Sequence, residues 1–65
     1  MPSLAIRVKI LMLLKKIPMN SVELSKNIMC PISDVDKELL YLEKEGKIER
    51  LKSEEYNQIF WRLKK

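Results

Sequence analysis

The sequence predicts a mainly α-helical fold in which three helices are followed by a small antiparallel β-hairpin, all within one domain of residues 1–65. Two apolar patterns with helical spacing follow each other across a short joint within residues 20–46. The only glycine, Gly46, ends the second pattern, and two apolar-rich segments typical of paired strands come after it. A chain this short buries only about 60% of its unfolded surface, so we expect marginal stability.

Composition narrows the classes of function. The chain is 46% hydrophobic and 34% charged, which is typical of a globular domain. With one cysteine and no histidine it has no internal disulfide and no ligand set for zinc, so we expect no metal and no cofactor. Without a histidine, a phosphate-binding loop or a nucleophile beside a base, we do not expect an enzyme. The apolar stretch 10–14 is too short to span a bilayer and no secretory signal is present, so we expect a cytoplasmic protein without a membrane partner.

The first helix is predicted over about 3–16, with Ser3 as its candidate cap. Two apolar arcs run along it. The arc expected to face the core consists of Ile6, Ile10, Leu13, Leu14 and Ile17. The second arc is either covered by the hairpin or forms the interface of a homodimer, and it consists of Leu4, Val8, Leu11 and Met12.

The second helix is predicted over about 21–28. Pro18 separates it from the first helix, because the residue before a proline is pushed out of the α region. Asn20 and Glu23 have the spacing of a capping box. The side chains expected to face the core from this helix are Leu24 and Ile28.

The third helix is predicted over about 32–45, after a joint at residues 29–31. Its buried stripe at i, i+4 and i+7 consists of Val35, Leu39 and Leu42. Gly46 supplies the left-handed residue past its end. Cys30 at the joint is interpreted as a small buried hydrophobic residue rather than a redox sensor.

The hairpin is predicted to have strands at about 47–52 and 58–63, joined by a polar tip. One face of the second strand should carry Ile59, Trp61 and Leu63, and the other Phe60 and Arg62. Trp61 is therefore interpreted as a core residue. Tyr56 near the tip either touches a nucleic acid or packs against the domain.

Three segments resemble those of winged helix-turn-helix transcription regulators. Residues 23–31 resemble the pattern E-L-A-x-x-L-G-V-S, residues 39–46 resemble L-x-x-L-E-x-x-G, and residues 10–14 resemble the I-L-x-x-L start of such domains. In size and in its Leu-Glu-Lys-Glu-Gly stretch the chain is similar to the small fimbrial regulators of the FaeA/PapI kind, although MarR-like and ArsR-like domains share the pattern. The resemblance implies a recognition helix in the DNA major groove, a basic wing on phosphates, and double-stranded DNA as the partner.

Two residues of the joint depart from this pattern. Met29 replaces the usual turn glycine, so either it adopts a positive φ at some cost or the turn has another shape. Pro31 replaces the usual capping serine or threonine, which leaves Ser33 and Asp34 as candidate caps.

Charge is the third departure. The net charge is +4, but residues 31–46 hold five acidic and two basic groups, a balance of −3 that would repel DNA unless neighbouring residues compensate. Asp36 is either a reader of a cytosine amino group or an ordinary solvated charge. The residues expected to contact DNA are Ser33, Asp36, Lys37 and Tyr41 on the third helix, and Lys47, Arg50, Lys52, Arg62 and Lys64 on or beside the wing.

Two functions remain open. The first is a DNA-binding transcription regulator, which at this size needs a homodimer or a larger DNA-bound co-regulator for useful specificity. The alternative is a winged-helix protein–protein interaction module that docks a partner on the acidic, apolar third helix, through Ile32, Leu40 and Tyr41.

Overall fold

The structure, a computed structural model, describes residues 4–64 and has three helices and a two-stranded antiparallel hairpin. The elements are α1 (Leu4–Lys16), α2 (Ser21–Ile28), α3 (Ile32–Lys44), β1 (Ile48–Ser53) and β2 (Gln58–Leu63). The predicted mainly α-helical class with a small antiparallel hairpin is confirmed. The candidate cap Ser3 lies outside the described residues. None of the helices found between residues 4 and 64 has the length and apolar character needed to cross a bilayer.

The core is built from all five elements and the segment between α1 and α2. Its buried hydrophobic residues are Ile10, Leu14, Met19, Leu24, Ile28, Val35, Leu39, Leu42, Ile48 and Trp61. The predictions for the buried stripe of α3 and for Trp61 are confirmed. One expectation was wrong: Ile17 is exposed because α1 ends one residue before it. Ile59 shares a face with Trp61 as predicted, but it is exposed because it lies near the hairpin tip, opposite Lys52.

Side-chain and backbone hydrogen bonds close the ends of α2 and α3 as predicted. Asn20 Oδ1 accepts from the Glu23 N–H at 2.7 Å, and Glu23 Oε1 accepts from the Asn20 N–H at 3.1 Å, which completes the capping box. Past α3, Gly46 has φ +75°, and its N–H donates to the carbonyl of Glu43 while the Lys47 N–H donates to that of Leu42. These two bonds satisfy carbonyls that the helix end would otherwise leave unpaired.

The joint between α2 and α3 adopts the left-handed turn for which glycine is the usual residue, although it contains no glycine. Met29 adopts the left-handed conformation, with φ 63° and ψ 49°, so the first of the two alternatives holds. Its N–H donates to the Ser25 carbonyl at 2.8 Å, and Ser25 Oγ donates to the Cys30 carbonyl at 2.6 Å. Pro31 is the N-cap of α3 and makes no side-chain cap, and neither Ser33 nor Asp34 supplies the missing bond.

Met29→Gly is expected to raise the free energy of unfolding by about 0.5–1 kcal/mol, because it removes the penalty of a left-handed non-glycine residue. The Met29 side chain is 89% exposed, so its loss removes little packing. Thermal denaturation should show a melting temperature higher by about 2–6 °C. Met29→Ala is the control, because alanine has the same steric problem and should give no such increase. A lower melting temperature for the glycine variant would contradict the prediction.

The hairpin pairs six residues on each strand, from Ile48 opposite Leu63 to Ser53 opposite Gln58. Met19 pairs with Trp61 on the free side of β2, through N–H···O bonds of 2.8 and 3.1 Å. Because opposite residues in an antiparallel pair share a face, Arg50 and Lys52 lie on the same face as Trp61. This is the inner face of the hairpin, and its other face carries Glu49 and Arg62.

A buried ion pair joins α1 to α3. The Arg7 Nε–H donates to Glu38 Oε1 at 2.9 Å, and Glu38 is only 4% exposed. The Arg7 guanidinium also lies over the Tyr41 ring, 3.9 Å from its centroid. Sequence patterning did not predict that a carboxylate of α3 would be buried.

Candidate nucleic-acid interface

The side of α3 opposite its buried stripe is uncovered. Its exposed residues, which we call the outer face of α3, are Ser33, Asp36, Lys37, Leu40 and Lys44. They share one side because the core holds Val35, Leu39 and Leu42 on the other. With two lysines and one aspartate, the outer face carries a net charge of +1.

The acidic balance of residues 31–46 therefore does not describe the surface that α3 presents. Glu38 is paired with Arg7, and Glu43 is paired with Arg50 through bonds of 2.8 and 3.2 Å. Counting these two arginines with residues 31–46 changes the local charge from −3 to −1. Repulsion of DNA was expected unless neighbouring residues compensate, and Arg7 and Arg50 supply part of that compensation. On the outer face itself, Asp36 is the one acidic residue.

A groove separates the outer face of α3 from the inner face of the hairpin. Its apolar lining residues are Val22, Leu40, Ile59 and Trp61, and its polar lining residues are Asn20, Ser21, Asp36, Arg50, Asn57 and Gln58. The Asn20 Nδ2–H donates to Gln58 Oε1 at 3.0 Å, which ties the start of α2 to β2. The groove therefore lies between elements that are joined to each other, and its lining is partly apolar.

The arginines and the lysines have different environments. Each of Arg7, Arg50 and Arg62 makes an ion pair, the last with Glu49 at 2.7 Å. Arg50 also lies over the Trp61 ring, 5.1 Å from its centroid. Among residues 4–64 no lysine makes an ion pair. The uncovered positive charge of the described chain is therefore carried by lysines.

The predicted DNA-contacting residues fall into separate groups. Asp36 and Arg50 line the groove. Ser33 and Lys37 share the outer face of α3 with Asp36, and Lys52 lies opposite Ile59 on the inner face of the hairpin. Tyr41 lies at the edge of α3 beside α1, under the guanidinium of Arg7.

The remaining three predicted residues lie away from the groove. Arg62 and Lys64 belong to the opposite side of the hairpin, around Glu49, and Lys47 lies at the hairpin base, where its carbonyl accepts from the Lys64 N–H. Sequence reasoning missed Lys44 and the groove residues Ser21 and Val22. The helical period puts Lys44 on the same side of α3 as Lys37, two turns later, and Lys44 could have been predicted from that spacing.

No protein-family model, curated protein or solved structure matches this chain. A function therefore has to be inferred from its own residues and geometry.

The second apolar arc of α1 is largely uncovered. Leu4, Val8 and Met12 are exposed, so the expectation that the hairpin covers this arc was wrong for these residues. Leu11 is half-buried and packs against the core. The homodimer interface predicted for these four residues would therefore lack most of the Leu11 side chain.

Two further side chains had open interpretations. Tyr56 is exposed near the hairpin tip, which contradicts the packing alternative. Cys30 is half-buried and packs against the core, as expected for a small hydrophobic residue.

Proposed function

We propose that this protein is a DNA-binding transcription regulator with a winged helix-turn-helix, acting in the cytoplasm. In this proposal α2 and α3 form the helix-turn-helix, and the β1–β2 hairpin is the wing. The order of three helices and an antiparallel hairpin is compatible with that layout. The observation that carries the proposal is the uncovered outer face of α3, which has a positive balance although the helix as a whole is acidic.

In the proposed complex α3 enters the major groove, which is about 12 Å wide and admits a helix. Lys37 and Lys44 on α3 and Lys52 on the wing bind phosphates, because these lysines are exposed and make no ion pair with any residue of 4–64. Ser33 and Asp36, in the N-terminal half of α3, are the candidates for contacts to base edges.

The wing is held at a defined place beside α3. Arg50 joins the hairpin to Glu43 of α3 and stacks on Trp61, and Gln58 is bonded to Asn20. Arg50 therefore serves mainly to position the wing in this proposal, and the phosphate contacts are left to lysines. Glu54 and Glu55 at the exposed tip disfavour deep insertion of the wing into a groove.

A salt titration with two matched variants tests the proposal. The first variant replaces Lys37, Lys44 and Lys52 with glutamine, and the control replaces Lys9, Lys15 and Lys16 with glutamine, so both lose the same charge. Binding to a random-sequence duplex is followed by fluorescence anisotropy. We expect the first variant to lose about 10- to 100-fold in affinity at low salt, and its salt slope to fall by about 3, because three phosphate contacts are gone.

The control should bind the duplex with an affinity within about threefold of that of the unmodified protein. The reason is that its three substituted lysines lie on α1 and not on the outer face of α3 or the wing. An equal loss in both variants would mean that the affinity reflects overall charge and not the outer face of α3. No affinity for duplex DNA even at low salt would overturn the proposed function.

That last outcome would favour the second candidate function, a protein-interaction module. Its motivating observation is the groove, where Val22, Leu40 and Ile59 expose apolar surface next to Asp36. Apolar side chains surrounded by a polar rim are typical of protein-docking surfaces. Of the three residues predicted for a docking face, only Leu40 lines this groove, while Ile32 is exposed at the start of α3 and Tyr41 lies beside Arg7.

A further inference from the structure

A second uncovered surface lies on α1, on the side that faces away from the core. Leu4, Val8 and Met12 stand at i, i+4 and i+8 and are 68%, 52% and 63% exposed. We call these three residues the α1 stripe. Their positions one turn apart form a continuous apolar strip along the helix, the kind of surface on which the apolar side of another helix packs.

A small pocket between α1 and α2 continues the stripe at Met12. Its apolar lining consists of Met12, Leu13 and Ile28, and its polar lining consists of Lys9, Lys16 and Asn27. Lys9 and Lys16 stand two turns apart on the same side of α1. The pocket therefore offers an apolar floor between two cations.

All charged residues of α1 are cations. α1 contains no acidic residue, and Lys9, Lys15 and Lys16 are exposed. None of these three lysines is paired with a carboxylate from residues 4–64. A surface that combines an apolar strip with flanking cations is complementary to an apolar strip with flanking carboxylates.

A second copy of this chain fits the surface poorly. The α1 helix of a second copy would bring the same lysines and no carboxylate to the contact. Repulsion between these lysines disfavours the homodimer, which was one of the two alternatives that the sequence left open for this arc.

We propose that the α1 stripe and its pocket dock an acidic amphipathic helix of a partner protein. Apolar side chains of the partner helix lie on Leu4 and Val8, one of them enters the pocket at Met12, and its carboxylates pair with Lys9 and Lys16. α1 and α3 contact each other through buried side chains, whereas the stripe and the outer face of α3 are both exposed and share no residue. A partner on α1 leaves α3 accessible, and the inference does not depend on DNA binding.

The test is a titration of the ¹⁵N-labelled full chain with a synthetic helical peptide of about 15 residues, which carries leucines along one side and glutamates elsewhere. We expect saturable chemical-shift changes confined to α1 and the adjoining residues of α2. Lys9→Glu with Lys16→Glu should weaken binding at least about 10-fold. Lys37→Glu with Lys44→Glu, the same charge change on the outer face of α3, should leave the affinity unchanged. The spectrum of each variant reports whether the fold is retained.

A peptide of identical composition with its leucines spread around the helix should not bind. Equal binding of that peptide would overturn the inference, because charge alone would then suffice. Shift changes in the groove instead of α1 would also overturn it. Sedimentation that shows a dimer of the free chain, formed through α1, would overturn the inference as well. Binding to anionic phosphatidylglycerol vesicles without binding to the peptide would also overturn it. The DNA titration uses a different face and different variants, so either proposal can fail while the other stands.

Discussion

Arg7→Met is expected to lower the free energy of unfolding by about 3–5 kcal/mol, because it leaves the buried carboxylate of Glu38 without its guanidinium partner. The substitution preserves an unbranched apolar stem, so lost packing contributes little. A domain of this size has a total stability of roughly 3–10 kcal/mol. Urea denaturation followed by circular dichroism should therefore show a variant that is partly or largely unfolded in the absence of urea.

A double variant distinguishes the stability cost of leaving a buried charge from the stability cost of lost packing. Arg7→Met combined with Glu38→Met replaces the ion pair by two apolar side chains of similar length, and such replacements are often neutral or stabilising. We expect it to recover most of the stability lost in the single variant. A cost of less than about 1 kcal/mol for Arg7→Met alone would contradict the prediction, because other groups around Glu38 would then compensate most of its charge.

Leu42→Ala is expected to cost about 2–5 kcal/mol, because Leu42 is fully buried in the core and its truncation leaves a cavity among packed side chains. Leu40→Ala is the matched control. It makes the same chemical change on the same helix at a position that is 54% exposed, and should change stability by no more than about 0.5 kcal/mol. Thermal denaturation of the two variants under identical conditions makes the comparison.

The pair of leucine variants also tests the orientation of α3. Equal destabilisation by the two substitutions would mean that Leu40 is packed, and the outer face of α3 would then be covered. The expected difference instead requires that the helix buries one side and leaves the other uncovered, as both proposed functions of this region need.

Local rules predicted the elements that depend on neighbours in sequence. The capping box of Asn20 and Glu23 and the left-handed Gly46 were predictable because their partners lie within a few residues. The stripe of α3 followed from its period. The burial of Glu38 was not predictable in this way, since its partner Arg7 lies 31 residues earlier and meets it only when α1 packs on α3.

The candidate site was predicted only in part, for the same reason. Helical spacing alone placed Ser33, Asp36 and Lys37 on one side of α3. The roles of Arg50 and Arg62 depend on strand register and on how the hairpin meets α3, and both arginines proved to be paired with glutamates. Summing charge along a segment does not give the charge of an exposed face, because the sum ignores which carboxylates are paired with distant residues.

The separation between paired arginines and unpaired lysines has a consequence for chemical modification. Acetylation removes the charge of a lysine, and on this chain it would act only on groups that take no part in the described ion pairs. Acetylation of Lys37, Lys44 and Lys52 would alter the proposed DNA-binding face, and acetylation of Lys9 and Lys16 the proposed partner-binding face. The ion pairs of the three arginines would remain. Reagents that attack guanidinium groups would act on those contacts first. Reagents for lysine would therefore change the exposed faces, and reagents for arginine would change the ion pairs between the elements.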